Sequence, residues 1–141
     1  MSDEQQQQAF DVSAFEIKDA ATLSVQNVRG DDELLYDGKP VTIELYSPGS
    51  KQGVRALHRA GQQSALRVKN IVNGKISKTA AEDADREQVE KLVGFTAAIN
   101  NFPIPGGAEA LYANPKLGYI RKQVEAFLAD EANFAKGLST S

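Results

Sequence analysis

Several short stretches hold residue types that could do chemistry. His58 is the single histidine of the chain, and it stands between Arg55 and Arg59 in a run of bases and glutamines. A triad needs a nucleophile and an orienting carboxylate beside the imidazole, and a metal needs further ligands. Neither is at hand, so His58 reads as an ordinary surface or boundary residue. Gly61-Gln62-Gln63-Ser64-Ala65 has the serine of a nucleophile elbow but not its second glycine, and it falls within a helical pattern rather than on a strand-to-helix turn. Asn73-Gly74-Lys75-Ile76-Ser77 has the ending of a phosphate loop. Lys69 holds the place of the first glycine, and isoleucine follows the lysine where Ser or Thr would bind the metal. Pro105-Gly106-Gly107 follows no strand pattern and is not a dinucleotide loop. Glu82, Asp83, Asp85 and Glu87 open a helical pattern, where carboxylates are favoured by the helix dipole, and calcium-loop spacing is absent. The chain has no cysteine, which removes thiol chemistry, disulfides and cysteine-held zinc. We therefore expect no enzymatic activity, no catalytic residues, no cofactor and no metal.

The elements that would position any site follow from composition and pattern. A length of 141 residues suits one domain, and 41% hydrophobic with 25% charged residues is ordinary globular usage. No apolar run approaches the ~18–20 residues of a membrane span, and the start, MSDEQQQQAF, lacks the basic and apolar regions of a secretory signal. We expect a disordered tail over 1–12, a single α+β domain over 13–136 and a flexible tail over 137–141.

Between Phe15 and Tyr46 the pattern has a period near two. Leu23 and Val25 share one face, and Val41, Ile43 and Leu45 alternate with Thr42, Glu44 and Tyr46. Asp37-Gly38 between two β-prone runs is a hairpin signal, because a type I′ turn needs positive φ at both central residues. A small N-terminal antiparallel sheet of about three strands is expected, followed by three α-helices. The first opens at Ser50, with Ser47 the rival cap, and runs to about Ile71, where Asn73-Gly74 stops it. Val54, Leu57, Gly61, Ala65, Val68 and Val72 form its apolar side; Lys51, Arg55, Arg59 and Gln62 form its outer side. The second starts at a capping box, Thr79 to Glu82, buries Val89, Leu92, Val93, Thr96 and Ile99, and ends near Asn100. Ala108 to Tyr112 fits a short helical turn. The third is capped by Asn114 with Pro115 at its first position, buries Leu117, Ile120, Val124, Phe127 and Leu128, and runs to about Phe134. Three aromatic pairs stand seven apart: Phe95 and Phe102, Tyr112 and Tyr119, Phe127 and Phe134. Core packing accounts for such a pattern, and an exposed strip for self-association is its alternative.

Charge is uneven. Residues 1–50 carry a net −7, residues 51–81 a net +7 without a single acid, and residues 82–141 a net −3. The basic block is either a face matched within the molecule or in solvent, or a surface for a partner. Nucleic acid fits it less well, since no aromatic lies between Tyr46 and Phe95 to stack on bases.

The C-terminal half carries a resemblance. TAAINNF at 96–102 and GGAEALYANPKLGYIRKQVEAFLADEANF at 106–134, with the turn Ser47-Pro48-Gly49-Ser50-Lys51 after a β-rich start, resemble the tail assembly chaperones of long-tailed bacteriophages. Asn101-Phe102, Tyr112-Ala113-Asn114-Pro115 and Asn133-Phe134 are the marks. The resemblance covers about residues 14–137. It implies a non-enzymatic protein of the host bacterial cytoplasm that binds the tape measure protein and helps recruit major tail tube subunits. It also implies self-association and departure before the virion is finished. Many such proteins also occur in a frameshifted longer form, and the chain would then be the short form. For a client of this kind, Arg55, Arg59 and Arg67 are expected as rim residues, and Phe127 and Phe134 as apolar contacts. Two other classes stay open: a structural virion component, such as a tail or connector protein, and a small nucleic-acid-binding regulator using residues 51–78.

Overall fold

The alternation at the N-terminus produces the strand on which the domain is built. A computed structural model describes residues 10–74 and 80–136. It is an α+β structure. A 3₁₀ turn at Val12–Phe15 leads to β1 (Ala20–Ser24), β2 (Leu35–Tyr36), β3 (Lys39–Pro40) and β4 (Thr42–Tyr46). α1 (Lys51–Val72) and α2 (Ala80–Phe95) follow, then β5 (Thr96–Asn100), α3 (Gly107–Ala113) and α4 (Gly118–Ala129). The main sheet is antiparallel in the order β1-β4-β5, with Leu23 opposite Ile43 and Ile43 opposite Ile99. β4 is central, and its Ile43 and Leu45 are fully buried. β2 and β3 form a separate ribbon closed by Asp37-Gly38, whose φ values of 53° and 76° are those the hairpin signal requires.

Helices cover one face of the sheet. Val25, Val41, Ile43 and Leu45 meet Val89 and Leu92 of α2, Leu111 and Tyr112 of α3, and Ile120 and Val124 of α4 in one core. Each such side chain contributes about 1.5–3 kcal/mol by leaving water. α1 stands outside this cluster. Ser50 caps it, accepting from the Gly53 amide at 2.9 Å while its hydroxyl donates to the Ser47 carbonyl at 2.7 Å. Gly53 is obligatory there, because a Cβ would lie 2.0 Å from that carbonyl oxygen. Asn73 closes the helix through its N–H to Lys69 O, and Gly74 follows at φ 77°.

Three boundaries differ from the sequence pattern. α2 ends at Phe95 rather than near Asn100, and the chain passes into β5 without a loop, so the third strand of the main sheet comes from 96–100 rather than from the segment before residue 46. β4 has backbone groups on both edges, and pairing them outweighs the helical preference of Thr-Ala-Ala-Ile-Asn. Thr96 turns its hydroxyl to Leu92 O at 2.8 Å and to the Tyr112 hydroxyl at 2.7 Å, which fixes the joint. Asn101, at φ 59°, then donates from its amide to Tyr36 O at 2.8 Å and Lys39 O at 2.9 Å, clamping the ribbon to the end of β5. The last helix ends at Ala129, not Phe134. Asp130 accepts from the Ala132 amide and starts a 3₁₀ turn, Glu131–Phe134. Asn114 caps as expected, taking the Lys116 amide at 3.0 Å, but Pro115–Leu117 is a 3₁₀ turn before α4. The expected cap Thr79, residues 1–9 of the expected 1–12 tail and the expected tail over 137–141 lie outside the described residues, while Asp11 caps the 3₁₀ turn that begins at Val12.

Candidate partner-binding surface

The long helix α1 is amphipathic, but its apolar side does not face the domain. The seam toward α2 is made by Gly53, Ala56, Ala60, Gln63, Arg67 and Asn70, each buried or half-buried. These recur three and four apart, so they share a face. Their first members are small, which lets the two helices approach closely: a Cβ on Gly94 of α2 would lie 3.0 Å from the Ala56 Cβ. The aliphatic stripe expected to be buried lies about 130° around the helix at 3.6 residues per turn. Val54 is 54% exposed, Leu57 45%, Val68 54% and Val72 78%. Gly61 and Ala65, in the middle of that stripe, are exposed as well. Leu66 and Ile71 add two exposed apolar side chains outside it. A contiguous face of this kind on a helix marks an interaction site.

The stripe continues onto the body of the domain. Leu57 borders a groove of about 190 Å³ whose floor is Pro48, Leu92, Phe95 and Leu128, with Lys91 and Glu125 among its polar lining. A second depression, about 340 Å³, lies between the far half of α1 and α2, with Leu66 and Ile71 beside Arg67, Asp83 and Glu87. Arg67 is drawn into the seam by Glu87, with its Nε 3.0 Å from the carboxylate. Arg55 and Arg59 remain exposed, with no ion pair among the described residues. The expected rim thus divides: Arg55 is exposed toward the stripe, Arg59 is exposed on the side of α1 away from it, and Arg67 ties α1 to α2.

Phe127 and Phe134 do not form an outer contact. Phe134 is fully enclosed, and Phe127 packs edge-on to it with ring centres 5.4 Å apart. The reason is the turn at Asp130: once the helix stops there, Phe134 folds inward instead of following Phe127 down one helical face. Lys18 N–H donates to its carbonyl at 2.7 Å, which brings the chain before β1 against this turn. Exposed aromatics lie elsewhere. Phe10 and Phe15 stack with centres 5.5 Å apart and are both about three-quarters exposed.

The groups that could do chemistry are dispersed or engaged. Among the described residues no three His, Asp or Glu side chains come together to hold a metal. Asp83 pairs with Arg86 at 3.1 Å, and Asp85 with Arg121 at 2.9 Å. Partial burial works against the charge of Arg121, but Asp85 and Glu125 more than offset it and hold the guanidinium above its ordinary range. Burial pushes the Tyr112 phenol up, and its bond with Thr96 pulls it partly back. His58 is exposed. Among the described residues no helix is long and apolar enough to cross a membrane.

No protein-family model, no curated protein and no solved structure matches this chain. Sequence pattern had found the aliphatic stripe but assigned it inward. The signal that places it outward is the row of small residues at Gly53, Ala56 and Ala60, which marks the side that packs closely against α2.

Proposed function

We propose that this protein is a non-enzymatic phage tail assembly chaperone that holds the tape measure protein on the outer face of α1 and helps bring major tail tube subunits to it. The observation that carries the reading is the uncovered aliphatic stripe from Val54 to Val72. A chaperone of a long helical client needs apolar surface rimmed by charge, since apolar contact supplies affinity without demanding one sequence. The stripe, the groove it enters at Leu57, and the exposed cations Lys51, Arg55 and Lys69 along its edge have that character. The resemblance over residues 14–137 supports the same reading. Its marks fall on residues that build the fold: Asn101 at the ribbon, Tyr112 in the core, Asn114 at a cap and Phe134 under the last turn. On this reading the protein acts in the host cytoplasm and leaves before the particle is complete.

Co-expression tests it. The tape measure protein, insoluble alone, is expected to become soluble and to co-purify with this chain, and Val68→Asp is expected to abolish both effects without unfolding the domain. A tape measure protein that stays insoluble and does not co-purify sinks the proposal. Stoichiometric copies in purified virions, by mass spectrometry, favour a structural component instead.

A further inference from the structure

The face of α1 has an edge as well as a stripe. Lys51, Arg55, Arg59 and Lys69 are exposed, none pairs with a carboxylate among the described residues, and the helix from Lys51 to Val72 contains no acid. At 3.6 residues per turn, Lys51, Arg55 and Lys69 border the stripe on its solvent side, while Leu57 borders it on the side of the groove. The stripe therefore has one cationic edge and one apolar edge. We propose that its occupant is an amphipathic helix of a partner protein, with aliphatic residues on one stripe and carboxylates along one edge. The proposal rests on reading this face as the client surface and adds the chemistry of the segment it accepts.

Three observations select that occupant. The first is spacing. Val54, Leu57, Gly61, Ala65, Val68 and Val72 stand three or four apart over about 27 Å of helix, at 1.5 Å per residue. That pattern offers a seam to another helix, as in helix-in-groove recognition. Gly61 and Ala65 lower its centre, where a second helix axis comes closest. The second is charge. A partner with carboxylates along one edge meets unpaired cations, and one with lysines there meets repulsion. The third argues against antiparallel pairing of two copies through this face. α1 against α1 would oppose cations with cations, with no acid on either helix. Among the nearby carboxylates, Asp83 is engaged with Arg86, Glu87 with Arg67, Asp85 and Glu125 with Arg121, and Glu90 accepts from the Gln63 amide.

Two synthetic helical peptides, matched to α1 in length, supply the test. They share one aliphatic stripe, and carry glutamates or lysines along one edge. Fluorescence anisotropy with the full-length protein is expected to show the Glu-edged peptide binding about tenfold or more tighter, with the preference shrinking as salt rises. Lys51→Glu, Arg55→Glu and Lys69→Glu together should invert the preference, which a merely unfolded variant could not do. Val68→Asp should abolish binding of both peptides while the circular dichroism spectrum stays unchanged. Equal binding of the two peptides, or a preference that survives charge reversal, overturns the proposal. So does a failure of the Glu-edged peptide to bind, whether the face is silent, binds nucleic acid instead, or is covered in a dimer that Val68→Asp dissociates. If the tape measure protein co-purifies regardless of charge reversal, the chaperone reading stands and this inference falls. If it never binds but the charge swap inverts peptide preference, the reverse holds.

Discussion

α1 and α2 form one helical hairpin, yet they spend their apolar residues differently. α2 turns Val89, Leu92 and Phe95 inward, where each is 3% exposed or less. α1 gives the interior only Gly53 and Ala56 and leaves Val54, Leu57, Val68 and Val72 in water. Both patterns are helical, and periodicity alone treats them alike. The difference lies in what sits on the opposite side. α2 has mainly charged residues there, Asp83, Arg86, Glu87 and Glu90, so its apolar side is the one that can be buried. α1 has a second packable side made of small residues, and close approach to α2 through that side leaves the larger aliphatics free. One helix holds the fold, and the other is held by it to present a surface.

Truncating one residue on each helix should separate these roles most widely. Leu92→Ala empties a fully enclosed position and is expected to cost about 2–5 kcal/mol in urea unfolding. Val68→Ala should change stability by no more than about 0.5 kcal/mol. Equal losses at the two positions would mean that the stripe is covered in the free protein and the contrast is wrong. Gly53→Ala comes next. It places a methyl group 2.0 Å from the Ser47 carbonyl oxygen. Backbone must shift to admit it, at a cost of about 1–3 kcal/mol, although Ala normally favours a helix over Gly. A stabilised Gly53→Ala variant would show that α1 is not seated by its small-residue side.

A good part of the fold was legible in the sequence, and what was hidden has a common cause. The hairpin at Asp37-Gly38, the caps at Ser50 and Asn114 and the inward set Val41, Ile43 and Leu45 are local features, each decided within a few residues. β5 is not local. Thr96–Asn100 becomes a strand because β4, some fifty residues earlier, needs a second neighbour. Phe134 is buried because Asp130 ends a helix that the apolar spacing would have continued. The outward stripe of α1 depends on Ser47 and Gly94, which lie outside the helix itself. Asn101 belongs to the same class, since its clamp joins residues more than sixty positions apart. Asn101→Ala removes two amide hydrogen bonds and places Ala at φ 59°. It is expected to cost about 1–2 kcal/mol. Hydrogen exchange should accelerate at β2 and β3 more than at α1. Uniform acceleration would mean that the ribbon is not held by this side chain.

The smallest expected effect lies on the line between the two helices. Arg67 and Glu87 face each other across the seam at 3.0 Å, with side chains 32% and 19% exposed. Their position is a compromise. Farther toward the N-terminus of α1, Ala56 sits close against Gly94, but here the seam admits charge. A partly exposed pair gains little over its hydrated state and is screened by salt. A double-mutant cycle with Arg67→Ala and Glu87→Ala should therefore give a coupling of about 0.2–1 kcal/mol, falling as salt is raised. Arg67→Ala alone should also leave the Glu-edged peptide bound, since its guanidinium points into the seam rather than to the outer edge. If Arg67→Ala weakens that peptide as much as Arg55→Ala does, the cationic edge extends around the end of α1. The binding face would then include the depression beside Leu66 and Ile71, and the boundary between the presenting helix and the supporting one would move onto α2.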